Sequence, residues 1–169
     1  NENFAEWTDS HTPRNWTHTT GASREAVVFT GTGDGTVAIV SSPKGAAAGL
    51  FSRYQISNAF ELRIRTRLRS GDGFTPVVVS LGGSGYLLRL YPGQVDICSR
   101  IIPLITADWH EYTLKSDDGR FLSLYLDNEL LAGRISPVKL KEYPGRGIYC
   151  LVSGENEASE GEIKYLKIR

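Results

Sequence analysis

Apolar and polar residues alternate with a period of two along most of this chain, and no stretch carries a convincing helical period. The cleanest alternation is Asn58 to Ser70, N-A-F-E-L-R-I-R-T-R-L-R-S. Phe60, Leu62, Ile64 and Leu68 fall on one face of it, and Glu61, Arg63, Arg65, Arg67 and Arg69 on the other. Gly71-Asp72-Gly73, Gly82-Gly83-Ser84-Gly85 and Pro92-Gly93 are turn signals that separate three further runs, Pro76–Leu81, Tyr86–Tyr91 and Gln94–Arg100. Short turns between four consecutive strands predict an antiparallel meander. Val77, Val79, Leu88, Leu90, Val95 and Ile97 then join Leu62 and Ile64 in facing the core.

The stretch Trp109 to Ala132 reads as three more strands. Tyr112 and Leu114 alternate with Glu111, Thr113 and Lys115. Asp117-Asp118-Gly119 and Asp127-Asn128 supply turns, because Asp, Asn and Gly tolerate positive φ. Further strands are predicted at Phe4–Thr8 and Trp16–Thr20 on an edge, at Ala26–Thr30, Thr36–Ser41 and Gly49–Ile56, and at Gly147–Ser153 and Glu162–Arg169. Gly31-Thr32-Gly33-Asp34-Gly35 superficially suggests a phosphate loop, but the strand pattern Val37-Ala38-Ile39-Val40 follows where a helix would be needed. About a dozen short strands and essentially no helix predict an all-β chain, folded as one antiparallel β-sandwich over residues 1–169.

The Trp-led strand, the hairpin after it and the run Y-L-D-N-E-L resemble the concanavalin A-like lectin/glucanase superfamily, including its laminin-G-like and carbohydrate-binding-module-like members. That resemblance implies a jelly roll of two curved sheets with the terminal G-E-I-K-Y-L-K-I-R as a last paired strand. The strings F-E-L-R-I-R, G-Y-L-L-R-L and W-H-E-Y-T-L are also similar to keto-disaccharide hydrolase-like jelly rolls. Three functions follow from the resemblance: a non-catalytic lectin-like or carbohydrate-binding domain on a concave sheet face, a glycan-active hydrolase, or a laminin-G-type protein-interaction domain. The first is the expectation adopted, with a poly- or oligosaccharide as partner and a catalytic domain of the same polypeptide as a second one.

Composition narrows the classes. Hydrophobic residues are 40% and charged residues 22% of the 169, an ordinary globular mixture. A formal net charge of zero argues against a dedicated nucleic-acid binder, and no run approaches the ~18 apolar residues of a membrane helix. The chain has no Met and no visible signal peptide, as expected of a processed secreted protein or a domain cut from a longer one. An extracellular or periplasmic location is therefore the expectation. Residues 51–100 hold seven Arg and no Lys, so basic groups cluster within a neutral chain.

Catalytic and metal chemistry finds little support. Superfamily glucanases carry E-x-D-x-x-E on one strand; the only similar string, Glu155-Asn156-Glu157-Ala158-Ser159-Glu160, lacks the Asp and reads as a solvated loop. His11, His18 and His110 have no nucleophile elbow and no complete zinc set. Calcium, the one cofactor weighed, has Asp34, Asp117 and Asp118 as donors, although turn chemistry explains all three. Strand parity puts Cys98 and Cys150 on different faces, which disfavours a disulfide and predicts two thiols.

Sugar sites on β-sandwiches combine aromatic rings with planar polar groups. By parity, the solvent side of the predicted meander carries Arg63, Arg65, Arg67, Val78, Ser80, Arg89, Tyr91, Gln94, Asp96 and Arg100. These, less Val78 and Ser80 and with Trp16 added, are the predicted carbohydrate-binding residues. The alternative reading is a solvated sheet face. Trp109 is expected in the core.

Overall fold

A computed structural model describes residues 16–18, 27–32, 35–44, 46–52, 56–143, 145–154 and 156–169. Among them are fifteen strands and no helix. The chain opens with β1 (Trp16–His18), β2 (Val27–Thr32), β3 (Gly35–Ser42), β4 (Ala46–Ser52) and β5 (Phe60–Ser70). The central run is β6 (Phe74–Leu81), β7 (Ser84–Tyr91), β8 (Gln94–Ile97) and β9 (Arg100–Pro103). Then come β10 (His110–Ser116), β11 (Leu122–Leu126), β12 (Glu129–Ile135), β13 (Val138–Lys139), β14 (Arg146–Gly154) and β15 (Ser159–Ile168). The predicted strand at Phe4–Thr8 lies outside the described residues.

The strands form two antiparallel sheets. An eight-stranded sheet runs β1-β4-β14-β6-β7-β8-β9, with β13 also paired to β7; a seven-stranded sheet runs β12-β11-β10-β5-β15-β3-β2. Leu62, Ile64, Val77, Val79, Leu88, Leu90, Val95 and Ile97, the positions that alternation assigned inward, are all fully buried between them. Each such aliphatic chain withdrawn from water contributes about 1.5–3 kcal/mol, which is why the two-residue period dictates the sandwich. The final strand β15 pairs with both β3 and β5, so it holds the middle of its sheet.

The meander is corrected in one place. β6 to β9 do follow one another in one sheet, but β5 belongs to the other. Gly71-Asp72-Gly73 is an arch from sheet to sheet, not a hairpin. Gly71 has a φ of +92°, and Asp72 is held there by the Asn156 N–H and the Ser159 hydroxyl, both at 2.8 Å. A Gly-Asp-Gly turn supplies flexible backbone to either geometry, so sequence alone does not separate them.

A second correction concerns Gln94–Arg100. Cys98 and Ser99 both take positive φ (+52° and +72°), ending β8 and starting β9, which sequence reading missed because neither Cys nor Ser ordinarily adopts positive φ and no Gly, Asn or Pro marks the turn. Trp109 is also not in the core. It is half-buried on the outer side of the seven-stranded sheet, where the Arg67 guanidinium sits 4.8 Å from its ring centroid.

Candidate functional site

Among the described residues, a site able to hold a ligand is built where the chain crosses the outside of the eight-stranded sheet. β13 lies beside the start of β7, pairing Val138 with Gly85 and Lys139 with Ser84. β14 lies beside β6 on the other flank. The segment 140–143, on the way between them, passes over the outer face of β6 and β7. It is pinned there: the Leu140 N–H donates to Gly83 O at 3.0 Å, and the Ser80 hydroxyl donates to Tyr143 O at 2.7 Å. Leu140 is buried, with its methyl group so close to Gly85 that a Cβ there would lie 2.9 Å away. Arg146 anchors the far end through Ile56 O, Leu81 O and Asn58 Oδ1.

This strap leaves an open groove of about 280 Å³, lined by Leu87 and Arg89 of β7 and by residues 138–143. Aromatic rings continue from its edge across the sheet: Tyr143 packs on Tyr149 at 4.6 Å, and Tyr149 stacks on Phe51 at 4.3 Å. Burial, with Glu142 next in effect, raises Tyr143 above the ordinary phenol value, so its hydroxyl stays protonated.

Of the predicted binding residues Arg89 lines the groove, and Tyr91, Gln94 and Asp96 follow it outside the groove on the same sheet face. Arg89 pairs across the ladder with Asp96, and Tyr91 with Gln94. The Arg89 guanidinium lies 4.0 Å from the Asp96 carboxylate, which also accepts the Ser99 N–H. Val78 and Ser80, assigned by parity to the solvent side, are instead fully buried. The strap and the Tyr149 ring are what lie on that side of the sheet. Lys139, Lys141, Glu142 and Tyr143 escaped sequence reading, although the alternation in V-K-L-K-E, with Leu140 between two lysines, signalled a segment with one buried face.

The other predicted residues are elsewhere. Arg100 follows the Cys98-Ser99 turn, which resets its parity, and its guanidinium donates to Gly133 O of β12 in the opposite sheet at 3.3 Å. Trp16 is in β1, paired with Ser52 on the sheet edge, and its side chain lies outside the described part of the protein, as does Asp34.

Arg63, Arg65 and Arg67 line the outside of the seven-stranded sheet, so the single Arg platform is two faces of one sandwich. There the charges satisfy one another. Arg63 pairs with Glu61 at 2.8 Å, Arg67 with the buried Glu162, and Arg69 with Glu160 at 2.9 Å. The rings are covered too: Arg67 caps Trp109, Lys167 caps Tyr165, and the Tyr165 hydroxyl donates to the Glu111 carboxylate. Burial and that carboxylate push Tyr165 up to about 12. Arg65 is exposed and carries no ion pair among the described residues.

Nucleophiles and metal donors have structural duties. Burial pushes the Cys98 thiol up to about 11 and raises Cys150 further, and both are unpaired thiols, poor nucleophiles at neutral pH. His110 is held between Asp127 Oδ2 at 2.8 Å and Ile105 O at 3.1 Å. Asp118 caps the Arg120 N–H at 2.8 Å in its turn. Among the described residues no three His, Cys, Asp or Glu side chains converge, so Asp117 and Asp118 gain no third such donor for calcium. In the string Glu155–Glu160, Glu157 is exposed and Glu160 is bound to Arg69.

No protein-family model and no curated protein sequence matches the chain. Solved structures do. A glycoside hydrolase family 16 endo-glucanase from Bacteroides ovatus superposes with a TM-score of 0.67 at 13% identity, over 98% of each chain. An alginate lyase of polysaccharide lyase family 7 superposes with 0.62 at 10% identity, over 83% of this chain and 81% of that one. The receptor-binding domain of botulinum neurotoxin D superposes with 0.57 at 16% identity, over 92% of this chain and 44% of that one. At such identities the likeness is one of architecture: the chain shares the two-sheet jelly-roll sandwich of these structures.

Proposed function

We propose that this protein binds a poly- or oligosaccharide, without cleaving it, in the groove between β7 and the strap. The observation that carries the reading is the composition of that groove. It offers a phenol ring at its edge, a guanidinium able to fork to vicinal hydroxyls, and ammonium groups, all around an open volume of about 280 Å³. Two of the structural neighbours act on glycans, a glucanase and an alginate lyase, and they lend the same direction to the reading. Its non-catalytic part is supported, against glycoside hydrolysis, by the lining holding one carboxylate, Glu142, while the neighbouring Asp96 carboxylate faces Arg89 and accepts the Ser99 N–H.

The seven-stranded face supports binding less, because Arg63, Arg67 and Arg69 are paired with acids and its rings are capped, which leaves Arg65 alone among its strand's arginines without an ion pair among the described residues. Calorimetric titration against a glycan panel, with Arg89→Ala and Arg65→Ala in parallel, tests the choice. Arg89→Ala is expected to lose ~1–3 kcal/mol of affinity, the loss of one charge-assisted hydrogen bond, while Arg65→Ala binds as the parent does. Loss confined to Arg65→Ala moves the site to the other sheet. Turnover of an oligosaccharide library removes the non-catalytic part of the reading.

A further inference from the structure

Resting on that reading, we infer that the groove selects acidic glycans, chains whose rings carry carboxylate or sulfate groups. The chain as a whole is neutral, and three of the four arginines that alternate along β5, Arg63, Arg67 and Arg69, are paired with acids on the same sheet face, with Arg65 a lone cation among them. The groove instead gathers several cations. Its lining holds Arg89, Lys139 and Lys141 against Glu142, three cations to one anion. Arg89 is partly satisfied by Asp96, at 4.0 Å. Lys139 and Lys141 are exposed and make no ion pair among the described residues.

The backbone explains why those two lysines stem from the edge of the groove. Leu140 between them is buried against Gly85, and its N–H is bonded to Gly83 O, so the flanking lysines are held at the groove by a fixed strap. A fixed backbone spares a sugar chain the entropy of ordering the segment, so only the lysine side chains have to be immobilised on meeting its anions. A neutral sugar offers these ammonium groups only hydroxyl acceptors, weaker than the charge-assisted bonds an oxyanion makes, and it must partly desolvate them. Charge, groove and strap therefore point to an oxyanion-bearing ligand, with the Tyr143 ring available for the apolar face of a pyranose.

Three hexasaccharides decide it: an oligogalacturonate, a sulfated galactan fragment, and a neutral gluco-oligosaccharide. Each is titrated with the parent protein, Lys139→Ala/Lys141→Ala, and Lys115→Ala, an exposed lysine on the other sheet that controls for general charge. Tighter binding of either charged probe is expected, and whichever binds identifies carboxylate or sulfate. The double substitution should weaken that binding about tenfold or more, and added salt should weaken it in the parent. Lys115→Ala should change nothing. Equal, salt-independent binding of the neutral probe overturns the acidic preference while leaving glycan binding in place. Equal losses in Lys115→Ala and the double variant overturn the groove as its source. Binding of none of the three overturns this inference, and silence across a full glycan panel overturns the parent reading as well.

Discussion

Single residues in this sandwich show how far a local rule extends. Tyr112 obeys alternation and is fully buried, yet its hydroxyl has no hydrogen-bond partner among the described residues. Burial accordingly raises its pKa well above the ordinary phenol value, with Asp127 adding to the effect. An unsatisfied buried hydroxyl costs free energy that a ring of the same shape without it does not. Tyr112→Phe should therefore raise the denaturation free energy by ~1 kcal/mol, measured by chemical unfolding; a loss of that size would mean the hydroxyl is satisfied. Trp109 makes the opposite point. A large aromatic at a strand start suggests core, but its position opposite Arg67 puts it outside, where a cation covers it.

At the level of elements, packing between sheets sets limits that no strand reveals by itself. Gly161 of β15 lies against Phe74 of β6 so closely that a Cβ would sit 2.2 Å from the ring. Within β15 the glycine looks like a weakness, since it has no side chain to pack. Across the sandwich it is the space Phe74 occupies. Gly161→Ala should destabilise by ~1–3 kcal/mol through overpacking, read from the urea midpoint, and Phe74→Leu in the same chain should recover part of the loss. The bulge around Lys164 is a comparable device. It lets both Glu162 and Tyr165 reach the outer face, opposite Arg67 and Arg65, where strict alternation would send one of them inward.

For the whole molecule, two carboxylates tie distant parts of the chain together. Asp72 clamps the arch between sheets to the start of β15. The Asn156 N–H, then the Ser159 hydroxyl, hold its pKa below the usual value. Burial alone would raise Asp127, but the Glu111 N–H and the His110 ring outweigh it, and its pKa is lowered too. Both groups are more acidic folded than unfolded. The stability they add is complete above the ordinary carboxylate value of about 4 and is lost as pH falls through their folded values below it. Thermal melts between pH 6 and pH 2, taken as round set points about the carboxylate range, should show a shallower acid decline in Asp72→Asn/Asp127→Asn than in the parent. Parallel declines would show that other carboxylates carry the acid sensitivity.

What the sequence determined by itself is the sandwich and the inward residues of its strands. The two-residue period is local physics: a strand with Leu62 and Ile64 on one side has only one way to bury them. The same period shows which side of a strand faces out, and Arg89, Tyr91, Gln94 and Asp96 gather as it required. It does not show which sheet a strand joins. That choice divided Arg65 from Arg89, because a Gly-Asp-Gly turn permits an arch as readily as a hairpin and only packing of the whole core selects between them. Nor does local pattern reveal what later passes over a face. The strap at residues 138–143 covers Ser80 from about sixty residues downstream, the separation its hydrogen bond to Tyr143 spans. The groove exists only in tertiary structure, because its two sides are remote in the chain and are joined by β13 and β14 pairing on either flank of one hairpin.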